Sequence, residues 1–383
     1  MGIPTLLVTC ESTWLAPIRM PAALHRAGFD VTLLAPDGAV AAYSRYVTRS
    51  RTLPATANAQ EWLFALIAAI DATAPDIVLP GDEMTLRLMQ GLVTAPPPVL
   101  SPHAARALSD LVERSLGAPE FYDAGTDKAR LAPLMQRAGV RVPDYAVVRS
   151  VDEAVRAARE LGPDVVLKPS NGTGGRDVIP CDSPQAAAAA FHRVLAGNRR
   201  AAAFDREPTV LVQRRIDGQM VGRSAVAFRG VELAGFTRER LRAMAARGGS
   251  TVVRYLHVPE PAAFSRRIAG TLGITGFVTH EFCVERQTGH TYLIDLTRRM
   301  APPTHTGSLV GVDLCVALAA ALRGDVGTPL DLPEGYAYMM TLFPQELWRD
   351  ARSPALHEYP MDVPWDDPAL LHELLHWRYD IDA

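Results

Sequence analysis

The chain has 383 residues, a formal net charge of −3, 48% hydrophobic residues and 21% charged ones, which gives room for two or three domains and no general attraction to nucleic acid. The four cysteines, Cys10, Cys181, Cys283 and Cys315, stand far apart, so no zinc knuckle or CxxC redox pair is present and free buried thiols are expected. No charged leader precedes the strand-like TLLVT at residue 5, and the apolar runs fall short of the ~20 residues of a membrane span, so the expectation is a cytoplasmic protein without a membrane partner.

In chain order, TLLVT, WLAPIRMPAALHRAG and FDVTLLAP read as strand, helix and strand. QEWLFALIAAIDATA then reads as a helix leading to the strand PDIVLP and the helix of GDEMTLRLMQGLV. Alternating β and α segments predict a small parallel sheet, whose ligands bind beyond the carboxyl ends of its strands. Those ends carry Glu11, Ser12, Thr13 and Trp14, then Asp82 and Glu83, and no GxGxxG is present to support a dinucleotide site. APPPVLSPH marks a boundary, placing a first α/β domain at 1–105. Thr126 or Asp127 is predicted to cap a helix running to Gly139, followed by the strand VRVPDYAVV, a helix over 151–161 and the strand VVLKP. An alanine-rich helix at 184–196 and the strand TVLVQRRI complete a second unit, 106–215. From 221 to 258 the pattern is strand-like, interrupted by an arginine-rich loop or short helix, and a helix over 260–272 leads into the hairpin GFVTHEFCVER–QTGH–TYLIDLTRRM. A third unit spans 216–328; the tail, 329–383, has proline punctuation and one helix, and is expected to dock across the body or to form a homodimer interface.

Only two of the 39 basic residues are lysines, Lys128 and Lys168; the other 37 are arginines. Codon bias explains the arginines, but Lys is a compact point charge on a flexible stem whereas Arg is a planar fork, so a site needing one ammonium between phosphate oxygens can refuse Arg. Lys168 ends the strand VVLKP and is followed by Asn171, Gly172, Thr173, Gly174 and Gly175. Glycines let backbone N–H groups approach an anion, yet a P-loop needs its Lys after the glycines at a helix start, and here a strand follows. In the hairpin, Glu281 and Asp295 lie on adjacent strands, where facing side chains come within ~5 Å. Two carboxylates that close call for a cation, of which Mg²⁺ with its hard oxygen ligands is the usual one. Strand periodicity places Thr297 and Arg299 on the face of Asp295.

The order of these pieces resembles the ATP-grasp superfamily over residues 1 to about 325. They are Lys128 opening TDKARLAPLMQRAGVRVP, Lys168 in VVLKP, the loop NGTGG, the hinge VQRRIDGQ at 212–219, and the paired-carboxylate hairpin HEFCV…YLIDLTRR. The resemblance implies an α/β (α+β) ATP-grasp fold with a Rossmann-like N-terminal domain, a lid subdomain and a C-terminal subdomain carrying the metal hairpin. It implies a carboxylate–amine ligase that uses ATP and one or two Mg²⁺ and acts on small-molecule carboxylate and amine substrates through an acyl phosphate. On that reading Lys128 and Lys168 neutralise phosphates, Asn171 to Gly175 close over them, and Gln213, Arg214, Arg215 and Ile216 contact adenine, with Asp217 a ribose candidate. Glu281, Asp295 and Thr297 hold metal, while Arg299 and Arg254 act catalytically. The family usually has Glu and Asn where Asp295 and Thr297 stand, which leaves a phosphotransferase or a catalytically impaired nucleotide-binding protein open.

Arginines crowd the expected substrate side, among them Arg238, Arg240, Arg242, Arg247, Arg254 and Arg298. An anionic substrate could use them, because the fork matches a carboxylate, with Arg247 and Arg298 as substrate candidates beside Arg254 and Arg299. Asp82 and Glu83 are candidates to receive an ammonium group, and Glu11 is a further substrate candidate. Finally, His372-Glu373-Leu374-Leu375-His376 matches HExxH, but few residues remain downstream to supply a third zinc ligand, and a surface helix is the expectation.

Overall fold

The computed structural model describes residues 2–11, 15–171, 177–201, 209–245 and 249–377. The first unit comprises β1 (Ile3–Val8), α1 (Leu15–Arg26), β2 (Phe29–Pro36), β3 (Arg49–Leu53), α2 (Ala59–Thr73), β4 (Ile77–Pro80), α3 (Glu83–Thr94) and α4 (Pro102–Leu116). Its four strands form a parallel sheet in the order β3-β2-β1-β4. Asn58 caps α2 in a box with Glu61, each satisfying a backbone N–H that the helix start leaves free. Leu108, Leu111, Val112 and Leu116 of α4 pack into the same core as Leu6, Val78 and Met89, so this unit continues past the expected boundary at 105. The proline-rich stretch is a connection within the unit, because the apolar face of α4 has to be buried and β4 supplies the surface.

Two short helices follow, α5 (Tyr122–Thr126) and α6 (Lys128–Arg137). The lid comprises β5 (Tyr145–Val148), α7 (Val151–Leu161), β6 (Val165–Pro169), β7 (Ile179–Cys181), α8 (Pro184–Ala201) and β8 (Val210–Arg214). Its strands form an antiparallel sheet, β5-β8-β6-β7, with small residues of α7 and α8 packed on Val165, Leu167, Val210 and Val212.

A six-stranded antiparallel sheet, β13-β12-β9-β10-β11-β14, forms the centre of the molecule. It is built from β9 (Gly218–Phe228), β10 (Val231–Ala243), β11 (Ser250–Leu256), β12 (Gly276–Glu285), β13 (Thr291–Thr297) and β14 (Ala337–Thr341), with α9 (Pro259–Thr271) and α10 (Leu314–Leu322) beside it. The arginine-rich stretch after 238 continues β10 as strand to Ala243. Consecutive residues of β9 serve two cores: Ala225 and Ala227 meet α9 residues Phe264 and Ile268, whereas Val226 faces the core shared with the first unit. At the junction of α4 and β12, Gly117 has φ +88, and a Cβ there would stand 1.9 Å from the Gly273 carbonyl oxygen. That close approach lets Leu116 accept a hydrogen bond from Thr275 and seats the first unit against the central sheet.

The tail docks across the body. β14 is the sixth strand of the central sheet, and α11 (Gln345–Arg349), α12 (Ala355–Glu358) and α13 (Pro368–His376) follow it. Asp362 pairs with Arg19 of α1 at 3.4 Å and with His305 at 2.7 Å, and Asp367 accepts from Ser44 at 2.5 Å. No helix among the described residues is long and apolar enough to cross a membrane.

Candidate active site

The two lysines converge where lid and central sheet meet. Asp127 caps α6 by accepting from the Ala129 N–H, and the Lys128 N–H donates to the Ser170 carbonyl at 2.9 Å, so α6 starts against the end of β6. Lys168, on β6 opposite Leu211 of β8, is 5% exposed and donates from Nζ to the Ile294 carbonyl at 3.0 Å. Lys128 Nζ lies 3.1 Å from Asp295 Oδ1. Burial, and then the positive charge of Lys128, hold the Lys168 ammonium down at about 8 against the opposing pull of Asp295.

A bulge in β13 makes this convergence possible. Glu281 opposes Asp295 and Phe282 opposes Leu293, so Ile294 has no partner on β12. The extra residue turns Asp295 onto the face of Glu281 and away from Leu293, which packs with Phe282 under α9. Thr297, opposite Thr279, shares the Asp295 face, and Asp295 and Thr297 line one cleft with Glu83, Thr126, Asp127 and Lys128. An adjoining cleft is lined by Leu131, Ala132, Val142, Leu211 and Leu293, with Lys168 and Gln213 at its polar edge. Together the clefts offer an apolar slot beside ammonium groups and carboxylates, the usual composition of a small-molecule site.

Glu281 and Asp295 are brought together, but each carries its own cation. Glu281 Oε1 is 3.2 Å from Arg238 Nη2, and Oε2 is 3.9 Å from Arg240 Nη2. Arg238 reaches across β9 because Gly222 stands opposite it; a Cβ there would lie 2.7 Å from the guanidinium Nη2. The sequence reading places Arg238 among the arginines of the substrate side and not beside the metal carboxylates. The isolated glycine inside VGRSAVAF was the available signal, since a glycine within a strand often marks a close approach.

Several expected roles need correcting. Arg254 stands between Val253 and Tyr255, both on the Glu281 side of the sheet, so it projects from the opposite face, where it pairs with Glu239. A catalytic role beside Arg299 is therefore withdrawn. Arg298 is buried and donates to the carbonyls of Phe121 at 3.2 Å and Leu116 at 2.6 Å; burial lowers it to about 10. It clamps the turn ahead of α5 and is not placed to meet substrate. Of the other crowded arginines, Arg242 pairs with Glu346 at 2.8 Å, so the group does not form an open anion site. Arg247 and the loop glycines Gly172, Gly174 and Gly175, with Thr173, lie outside the described residues; Asn171 stands half-buried at the start of that loop.

Asp82 is no ammonium receptor. It caps α3 at the Thr85 N–H, 2.8 Å, and accepts from Thr85 Oγ1 at 3.0 Å, Thr9 Oγ1 at 2.8 Å and the N–H groups of Cys10 and Glu11. Its lone pairs are committed to joining the ends of β1 and β4. Asp82→Ala should lower stability by about 2–3 kcal/mol, through lost capping and charged hydrogen bonds. Thermal melting should show this while the KM for an amine stays unchanged. Glu83, the next residue, does face the cleft, with Arg87 at 3.2 Å and Arg299 at 3.8 Å; Glu11 is exposed at the end of β1.

The hinge also differs in detail. The Arg214 and Arg215 N–H groups donate to the lid carbonyls of Asp144 and Asp164, so they do not face a nucleobase. Their side chains reach Glu285 at 3.0 Å and Asp164 at 3.6 Å, and Asp217 pairs with Arg286 at 3.4 Å in solvent. The Ile216 carbonyl accepts from Cys283 Sγ at 3.8 Å, which leaves the buried Gln213 as the hinge side chain on the cleft wall. On α13, the His372 and His376 rings lie 4.1 Å apart, but no group of three potential ligands forms among the described residues.

The family model for the carbamoyl-phosphate synthase L chain ATP-binding domain matches residues 127–220, from the cap of α6 to the start of β9. Carbamoyl phosphate synthase large chain of Thermus thermophilus is 28% identical over 189 residues, 47% of this chain and 18% of that protein. The match to the large chain from Thermotoga neapolitana is 35% over 66 residues, 17% of this chain and 6% of that one. The chain thus spans less than a fifth of these relatives. Across nearly its whole length it superposes on the biotin carboxylase domain of Hydrogenobacter thermophilus 2-oxoglutarate carboxylase, a dimer in complex with MgADP, ADP and bicarbonate. The TM-score is 0.67 at 18% identity, covering 88% of this chain and 74% of that one. The chain has the ATP-grasp fold. L-amino acid ligase from Bacillus licheniformis shares this ATP-grasp architecture with TM-score 0.57 and 16% identity, covering 83% of this chain and 74% of that one. In the ATP-grasp chain described here, the paired lysines sit within the matched segment and their carboxylate partner sits on the hairpin beyond it.

Proposed function

We propose that the protein is an ATP-dependent ligase that joins a small carboxylate to an amine through an acyl phosphate. The observation that carries this reading is the meeting of the chain's two lysines at Asp295 and Ile294, between an apolar slot and a pair of carboxylates. The adenine would enter the slot lined by Val142, Leu211 and Leu293 with Gln213 at its edge. Lys168 and Lys128 would then neutralise the phosphates, and residues 171–175 would cover them.

The donor set fits Mg²⁺: two carboxylates in register, Glu281 and Asp295, and the Thr297 hydroxyl on the same face are hard oxygen ligands. Bound there, the ion would neutralise charge on the phosphates. The substrate carboxylate attacks the γ-phosphorus, its oxygen forming the new P–O bond as the bond to the ADP oxygen breaks. The amine then adds to the acyl carbon, phosphate leaves with the C–O electron pair, and the amine loses a proton. Arg299, 7% exposed and held by Glu83, stands at the end of β13 to stabilise charge on the transferring group or the adduct. Phosphoryl transfer is mainly positioning and charge neutralisation, so no protein nucleophile is required.

The direct test is ADP and phosphate release screened over small carboxylates with and without amines, with the product identified by mass. Amine-dependent ADP release with a new amide supports the ligase; ADP formed with a phosphorylated product identifies a phosphotransferase instead. Nucleotide affinity should also depend on pH. Lys168 is held at about 8, and phosphate favours its charged form, so binding above pH 8 must take up a proton. The Kd for ADP should be flat below pH 8 and weaken by up to about tenfold per unit above it. Calorimetry at several pH values checks this, and Lys168→Met should flatten the profile; a wild-type Kd constant to pH 9.5 contradicts it.

A further inference from the structure

The geometry points to a metal site that is electrostatically closed in the free protein and accepts a divalent cation only together with a polyphosphate, with Arg238 as the positioning residue that enforces the order. This rests on the nucleotide reading above and adds the coupling between its two ligands.

Both hairpin carboxylates are already ion-paired. Asp295 Oδ1 takes Lys128 at 3.1 Å and the Leu296 N–H at 3.0 Å. Glu281 takes Arg238 at 3.2 Å and Arg240 at 3.9 Å. Among the described residues linked here, Lys128, Lys168, Arg87, Arg238, Arg240 and Arg299 stand against Glu83, Glu281 and Asp295. Asp127, also on the cleft wall, spends its charge on capping α6 and on Arg130 at 3.8 Å. A bare dication therefore enters a site with an excess of positive charge, whereas a nucleotide brings several negative charges and gives the lysines a better partner.

The two arginines differ in freedom. Arg240 is 28% exposed at its side chain and can swing into solvent. Arg238 is 7% exposed there, donates from Nη1 to Ser224 Oγ at 3.0 Å and fills the space above Gly222. It stays on Glu281 whatever binds. Glu281 is thus a half-neutralised ligand, and the cation must draw its remaining ligands from phosphate oxygens. Linkage requires the reverse effect as well, so the cation tightens the nucleotide by the same factor.

The test uses Mn²⁺ as the metal and ADP as the nucleotide on the full chain, reading free Mn²⁺ by electron paramagnetic resonance. For the wild type, saturating ADP should tighten Mn²⁺ binding about tenfold or more, and Mn²⁺ should tighten ADP equally. Arg238→Met should bind Mn²⁺ without ADP about tenfold more tightly than the wild type. Arg240→Met, at the more exposed position, should show a smaller shift in the same direction and serves if the first variant does not fold. Wild-type Mn²⁺ affinity that is the same with and without ADP overturns the inference while leaving the nucleotide reading intact, as does unchanged affinity in both variants. Failure of ADP to bind at all, with or without metal, overturns the nucleotide reading and this coupling with it.

Discussion

Lys168→Arg should reduce amine-dependent ADP formation by about 10²–10³-fold, the loss seen when one donor to a developing charge is removed. The charge is kept, so the effect is one of shape. Lys168 is buried between β6 and the bulged residue Ile294, with its single ammonium 3.0 Å from that carbonyl. A guanidinium is planar and wide and cannot present one point charge there without displacing β13, which carries Asp295. Lys168→Met should lose activity to a similar extent. Initial-rate measurement at saturating ATP, with ADP affinity in parallel, separates the two variants: Met removes the phosphate contact, and Arg also disturbs the hairpin. Turnover by the Arg variant within a few-fold of wild type would show that the pocket does not discriminate between cations.

Arg223→Leu should cost about 3–5 kcal/mol of stability, because it leaves buried carboxylates without their counter-charge. Arg223 is 0% exposed, with Glu232 at 2.6 Å and Asp331 at 2.9 Å. Glu232 is also held by Ser265 of α9, and Ser265 lies 3.3 Å from His280 Nδ1. The melting temperature should fall by roughly 10 °C for a loss of this size in a large domain. Removing Glu232 as well, in Arg223→Leu/Glu232→Gln, should recover part of it, because one buried charge goes with its partner. A fall of under 2 °C in the single variant would contradict the assigned role.

Part of the candidate site was legible in the chain itself. Composition singled out Lys128 and Lys168, and the structure brings both to Asp295. Alternation and turn chemistry identified the hairpin, and its carboxylates do share a face. The bulge at Ile294 was not visible, because a one-residue shift of register leaves no mark on local hydrophobic pattern. Arg254 was misplaced for the same kind of reason. Which face a strand residue occupies depends on pairing, and Arg254 falls opposite Glu239 on the α9 face. Asp82 could be seen at a strand end, but its hydrogen bonds to Thr9, Cys10 and Glu11 bridge a separation of over 70 residues. β14 escaped because a five-residue segment after Pro333 and Gly335 carries too little periodicity to separate it from loop.

That late strand has a consequence for how the molecule is made. Chains emerge from the ribosome N-terminus first and their domains condense as units. The first unit and the lid hold all their own strands by residue 214, but the central sheet does not close until residue 341. In the interval the hydrogen-bonding edge of β11 is bare and Arg223 waits for Asp331, so the nascent chain carries an open strand edge beside a half-compensated charge. The vulnerable window in synthesis therefore belongs to the edge of the central sheet opposite β13, and a chaperone binding extended segments would find its target at β11.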